Sequence, residues 1–239
     1  MKTPRDFLAE RLQGTIRADE LNLNKLAIKL QRGRLLIKEG KFKGAAVEEY
    51  NGLKLIKGPG RDTANLFASK RGERVDLGIK LEMPKIVIDY GLWSYHDAKE
   101  KWRLRKQTKL ALETVREYLW DRNLVLASCP DEIVESLEPN DFFGDVLPNK
   151  FKGDAILLDP NAKEEITQFE EGGTYIIGGI VDRSNQIRTQ ELGYDLPRRS
   201  IRLGGDAAAV PDRINTLVRI ICKNVLGTPL DKSILQSHS

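Results

Sequence analysis

Apolar positions along the chain follow two different periods. Five short apolar runs stand out: "KIVIDY" at 85–90, "NLVLAS" at 123–128, "DAILLDP" at 154–160, "TYIIGGIVD" at 174–182 and "RSIRLGG" at 199–205. Continuous apolar runs of this length read as strands buried on both faces, which predicts a mainly parallel sheet covered by helices. The intervening segments carry helical spacing. Across 104–119, Leu104, Ala111, Leu112, Val115 and Leu119 share one face. The last predicted helix has Pro211 and Asp212 in its first turn, Ile214, Leu217, Val218, Ile221, Cys222 and Val225 in register, and Gly227 at its end. The second part of the chain therefore reads as an α/β domain.

Before residue 84 the texture differs. In "NKLAIKLQRGRLLIKEGKFKG", Leu26, Ile28 and Leu30 alternate with Lys25 and Lys29, a period of two that predicts strand and hairpin. Short apolar pieces recur in "GLKLIKGPG" and "ERVDLGIKLEM", and a helix is expected near 6–13. The expectation is a smaller N-terminal domain of mixed, mostly β structure. The change falls at "EMPK", giving domains at 1–84 and 85–239.

Charge sharpens that division. Residues 1–84 hold 18 Lys and Arg against 11 Asp and Glu, whereas 85–239 hold 21 against 24, so the positive field belongs to the N-terminal part. A basic module beside a near-neutral one fits a polyanion-binding domain attached to a second domain with another task. The bland alternative is surface charge for solubility.

Composition excludes several classes. With 239 residues and 40% apolar content the chain can bury a core unaided. No run reaches the roughly 18 apolar residues of a membrane span, and the first residues lack a signal pattern, so a soluble cytoplasmic protein is expected. Cys129 and Cys222 are far apart, and His96 and His238 are the only histidines, so no metal site is expected. Both cysteines read as small buried apolar groups.

In an open α/β sheet, ligands gather at the carboxyl ends of the strands. Three predicted strands end suggestively: in Asp159 with Pro160 and Asn161, in Gly178 and Gly179 followed by Asp182, and in Gly204 and Gly205. Glycine lets a ligand approach the backbone, or else lets a crossing element pack closely. Neither G-x-G-x-x-G nor the P-loop pattern is present, which argues against a dinucleotide or nucleoside triphosphate site.

"YIIGGIVDRSNQ" resembles the central motif of the tRNA purine-9 N1-methyltransferase family, a branch of the SPOUT superfamily of S-adenosylmethionine-dependent RNA methyltransferases. "IVIDYGLW" before "KQTKLALETVREY", "LLDPNA", and "SIRL" before "INTLVRIIC" agree in order and spacing, so the resemblance covers about 85–226. It implies a SPOUT-type knotted, mainly parallel sheet, in which the last strand and helix thread an earlier loop. It also implies S-adenosylmethionine as cofactor, S-adenosylhomocysteine as product, tRNA as substrate and a monomeric enzyme. A cluster of like charge at Arg103, Arg105 and Lys106 would oppose a self-complementary contact.

By the same resemblance, Leu158, Ile177, Gly178, Gly179, Asp182, Arg183, Ser184, Asn185, Gln186, Gln190, Ser200, Ile201, Leu203 and Gly205 line the cofactor site, with Asp182 the catalytic carboxylate. This chain departs from relatives near Gln190, where many carry a small residue, and in "GGDAAAVPD" after Leu203. Guanine N1 carries a proton, so its methylation calls for a general base; adenine N1 offers a lone pair, so there Asp182 would orient the amine and offset developing charge. Adenine is the expected base, on the archaeal look of the composition. The rival reading of Asp182 is a cap on a helix beginning at Ser184, within a non-catalytic RNA-binding protein.

N1 lies on the Watson–Crick edge, so the target nucleotide must be exposed. Phosphate contacts are expected from Lys25, Lys29, Arg32, Arg34, Lys38, Lys41 and Lys43, from Arg103, Arg105 and Lys106, and from Arg183, Arg188, Arg198 and Arg199. Trp93, Tyr95 and Trp102 interleave with basic groups and could stack on a base or serve as core anchors.

Overall fold

Six strands of the second part pair in parallel, in the order β6-β5-β4-β8-β7-β9. They are β4 (Lys85–Asp89), β5 (Leu124–Ala127), β6 (Asp145–Val146), β7 (Ile156–Leu158), β8 (Thr174–Gly178) and β9 (Arg198–Arg199). The computed structural model describes residues 1–20, 22–81, 83–181, 189–207 and 210–237. The chain divides into two compact units: Lys2–Leu81 with Arg116–Trp120, and Met1 with Glu82–Val115 and Asp121–Ser239.

The first unit opens with α1 (Pro4–Arg11), begun by a capping box in which Asp6 accepts from the Thr3 amide at 2.6 Å. Next come β1 (Gly14–Arg17), α2 (Leu23–Gln31), β2 (Leu36–Tyr50) and β3 (Leu53–Ser69), with the strands ordered β1-β3-β2. β2 and β3 form a long antiparallel hairpin whose two-residue turn is Asn51-Gly52, both at positive φ (47° and 78°). β1 pairs in parallel with two stretches of β3, at 53–56 and 66–67, and between them the β2–β3 register shifts, with Gly44 opposite Asp62 but Ala45 opposite Lys57.

One expectation is corrected here. Residues 23–31 form a helix, not a strand. Leu23, Leu26, Ala27 and Leu30 are all buried at i, i+3, i+4 and i+7, and Asn22 caps the start by accepting from the Lys25 amide at 2.8 Å. That capped apolar stripe overrides the local alternation of Leu26, Ile28 and Leu30.

α3 (Ala98–Tyr118), which belongs to the second unit as far as Val115, follows β4, and α4 (Asp131–Leu137) follows β5. α5 (Ile214–Val225) and α6 (Leu230–Leu235) end the chain. β4, β5 and the middle of β8 are buried on both faces, as continuous apolar runs require. Two boundaries move. α5 begins at Ile214, so Pro211 and Asp212 precede it, and the run at 199–205 contributes no long strand. After Arg199, Ser200 pairs with the 164–166 segment, and Leu203 turns back on Asp206. Among the described residues the mainly parallel α/β class stands, and no helix is long and apolar enough to cross a membrane.

Candidate active site

The carboxyl ends of β4, β8, β7 and β9 lie side by side, with Asp89 opposite Gly178, Ile177 opposite Leu158, and Leu158 opposite Arg199. β8 leaves the sheet immediately after this row. The Gly179 amide donates to the Asp89 carbonyl at 2.7 Å, and a Cβ on Gly179 would sit 2.8 Å from that oxygen and 2.9 Å from the Tyr90 ring. Tyr90 is itself fully buried, its hydroxyl 2.6 Å from that of Thr108. Gly179 is therefore glycine for close packing. At Gly178 an added Cβ meets only flexible side-chain ends, the nearest being Ile180 at 2.9 Å.

Gly204 and Gly205 serve a turn. Their φ values are +59° and +84°, and the Leu203 and Asp206 amides donate to each other's carbonyls at 3.0 and 3.1 Å, with open space around both glycines. Arg202 braces the turn by donating to the Gly205 carbonyl at 3.2 Å and to Ser200 Oγ at 3.1 Å. Ser200 is fully buried, and its backbone bonds to the segment at 164–166. Its hydroxyl thus serves the fold.

Two buried carboxylates stand at strand ends. Asp159 accepts from the Asn161 amide at 2.9 Å, and Arg198 lies 3.6 Å from its other oxygen. Asp89, wholly buried, accepts from the Gly91 amide at 2.6 Å and from the Tyr194 hydroxyl, with Ser128 Oγ at 3.4 Å. Burial, and then the bond to Asp89, pushes the Tyr194 hydroxyl well above its usual range. Tyr194 also accepts from the Phe151 amide at 3.1 Å. Leu192 is buried in the same apolar cluster as Val87, Leu92 and Ile176, with Tyr194 packed against it, so residues 192–194 cover this end of the sheet.

His96 is 4% exposed, with Nδ1 3.0 Å from the Leu92 carbonyl and Nε2 3.2 Å from the Val181 amide nitrogen. Burial pushes the Cys129 thiol up to about 12, and Cys222 is fully buried, so both read as unreactive.

The structure thus brings Leu158, Ile177, Gly178, Gly179, Ser200, Ile201, Leu203 and Gly205 to neighbouring strand ends and the turn that follows. Gln190 is an exposed residue of the 3-10 turn Thr189–Leu192. Asp182, Arg183, Ser184, Asn185, Gln186 and Arg188 lie outside the described residues. Asp89, His96 and Tyr194 are absent from the sequence expectation. The signal for Asp89 was present in "IVIDYG", an apolar strand running into a carboxylate just as "YIIGGIVD" does.

The expected RNA contacts fall on separate elements. Lys25 and Lys29 are on α2, where Lys29 pairs with Glu20, and Arg32 and Arg34 follow it. Lys38, Lys41 and Lys43 are exposed on β2. Arg103, Arg105 and Lys106 are on α3, and Arg105 and Lys106 line a groove of about 540 Å³ with Trp102, Lys109, Glu132, Glu135 and Ser136. Trp102 is 55% exposed and is no core anchor; Trp93 is half-buried edge-on to Tyr90. Arg198 and Arg199 already pair with Asp159 and Glu164.

Leu158, Ile177 and Ile201 give the strand ends an apolar wall, with Gly178 and the open Gly204-Gly205 turn beside it. Apolar side chains with accessible backbone suit a planar aromatic ligand better than a metal, and no metal-holding cluster occurs among the described residues. Fold and site together define an α/β protein whose candidate ligand site is the carboxyl edge of a parallel sheet.

No family model matches the sequence. The chain is 31% identical over 231 residues to the tRNA (adenine(9)-N1)-methyltransferase of Sulfolobus acidocaldarius, covering 91% of this chain and 76% of that protein. It is 28% identical over 271 residues to the tRNA (guanine(9)-/adenine(9)-N1)-methyltransferase of Thermococcus kodakarensis, covering 99% of this chain and 73% of that protein. The crystal structure of Sulfolobus acidocaldarius Trm10 in complex with S-adenosylhomocysteine matches with a TM-score of 0.77 at 26% identity, over 99% of this chain and 83% of that one. The chain belongs to the Trm10 family of tRNA purine-9 N1-methyltransferases.

Proposed function

We propose that this chain transfers a methyl group from S-adenosylmethionine to N1 of the purine at position 9 of tRNA, with adenine the favoured base. The observation that carries this reading is the 31% identity to an adenine-9 enzyme across 76% of its length. A second reading, guanine or both purines, draws on the 28% identity to a dual-specific relative across 99% of this chain. Further parts of the proposal are a trefoil knot in the sheet domain, a monomer, and a cytoplasmic place in an archaeon; the two archaeal relatives support the last.

S-adenosylmethionine supplies an activated methyl group when bound. Leu158, Ile177, Gly178, Ile201, Leu203 and Gly205 would hold it against the strand ends, together with the segment from Asp182 to Gln186 and Gln190. Holding donor and base in near-attack geometry supplies much of the acceleration. Asp182 has two duties. With guanine it takes the N1 proton as the new N–C bond forms; with adenine it orients the exocyclic amine and offsets the positive charge left on the ring. The basic first unit, with α3, would contact phosphates in a shape-reading mode.

Calorimetric titration with S-adenosylhomocysteine, followed by methyl transfer to tRNA transcripts carrying A or G at position nine, tests the reading. Saturable binding with methylation of the A9 transcript is expected. Absence of cofactor binding would leave a non-catalytic RNA-binding protein.

A further inference from the structure

β8 stops pairing at Gly178, and the Gly179 amide makes the last bond to the neighbouring strand. Two residues further on, the Val181 amide is still satisfied, but by a side chain 85 positions away in sequence. That side chain is the imidazole of His96. Because a carbonyl has no proton to offer, Nδ1 must donate to Leu92; because an amide only donates, Nε2 must accept from Val181. Both contacts hold together in one state alone, the neutral ring with its proton on Nδ1.

The ring stands on firm supports. The His96 amide closes the 3-10 turn Trp93–Tyr95 by donating to Trp93 at 3.2 Å. The next residue, Asp97, starts α3 with a reciprocal cap, its amide donating to Glu100 at 3.0 Å and its carboxylate accepting from the Glu100 amide at 2.8 Å.

We infer that His96 is a positioning residue for methyl transfer: as its Nδ1–H tautomer it fixes the Val181 amide, one residue before Asp182 in the sequence. The inference rests on Asp182 being the catalytic carboxylate. His96 does not touch substrate or cofactor in this scheme; it acts through the backbone. A group misplaced by an ångström forfeits near-attack geometry, so losing the acceptor lowers turnover and leaves binding intact.

The first test is spectroscopic. Long-range proton–nitrogen correlation on the whole protein reads the two imidazole nitrogens directly, and with only two histidines in the chain the assignment is short. A protonated Nδ1 and a bare Nε2 on His96 are expected; a proton on Nε2 overturns the inference. The second test compares His96→Leu, which removes the acceptor, His96→Gln, whose side-chain oxygen can replace it, and Asp182→Ala as reference. His96→Leu should lose roughly tenfold to a hundredfold in kcat with KM for tRNA little changed, and His96→Gln should recover most of it. Wild-type kcat in His96→Leu beside an impaired Asp182→Ala removes the positioning role alone; wild-type kcat in Asp182→Ala removes the carboxylate assignment and the inference with it.

Discussion

The Tyr194 hydroxyl donates to the buried carboxylate of Asp89, joining segments 105 residues apart at the carboxyl end of the sheet. Because Asp89 is fully buried, each donor it loses leaves charge less compensated. Tyr194→Phe should cost about 1–2 kcal/mol and Asp89→Ala about 2–4 kcal/mol, with the double variant losing less than their sum. Thermal melts of the three variants check this, and strictly additive losses would argue that the two groups are uncoupled.

Alkaline pH should weaken the fold. Burial is the main cause holding the phenols of Tyr90, Tyr175 and Tyr194 above the ordinary tyrosine range, and the bond to Asp6 is the main cause for Tyr50. Each keeps its proton to higher pH folded than unfolded, so the native state binds more protons just above the free tyrosine pKa of about 10. Stability from these groups is complete below that pH and declines as pH rises through the folded values. Melting temperatures followed from pH 8 to 12 should stay level to about 10 and then fall; a level profile to about 11.5 contradicts the assignment.

The two glycines at 178 and 179 should separate by substitution. Gly179→Ala forces a methyl group against the Asp89 carbonyl and the Tyr90 ring, which should cost about 2–3 kcal/mol. Gly178→Ala meets the movable tip of Ile180 and should cost under about 1 kcal/mol. If Gly178 borders the cofactor, that milder variant should nevertheless bind S-adenosylhomocysteine more weakly. Unchanged affinity would remove Gly178 from the site.

Asp182→Asn keeps the shape of the side chain and removes the base. Methylation of a G9 transcript should fall by roughly a hundredfold or more, as loss of a general base implies, with A9 methylation affected far less. Single-turnover rates on both transcripts decide it, and equal losses would refute separate duties for the two bases.

Much of the second unit could be read from the sequence because β4, β5 and β8 are buried on both faces and show themselves as unbroken apolar runs. The stretch at 199–205 has the same look, yet only Arg198–Arg199 pair as a strand, because Ser200 and Leu203 take partners elsewhere. In the first unit the alternation at 26–30 concealed α2, whose decisive signals were Asn22 and the spacing of Leu23, Leu26, Ala27 and Leu30. Asn51-Gly52, a strong hairpin dipeptide, forms the turn that sets Tyr50 opposite Leu53, and the β2–β3 register then shifts three times further along the hairpin. Asp89, His96 and Tyr194 come from separate segments and meet others only through folding. Periodicity carries no trace of such meetings.

The outermost strands of the six-stranded sheet, β6 and β9, are two residues each, and β9 consists of two arginines. Edges so short, one of them charged, give a neighbouring copy almost no backbone on which to continue the sheet. At high concentration or on heating, strand-by-strand polymerisation is therefore disfavoured at both described edges of this sheet.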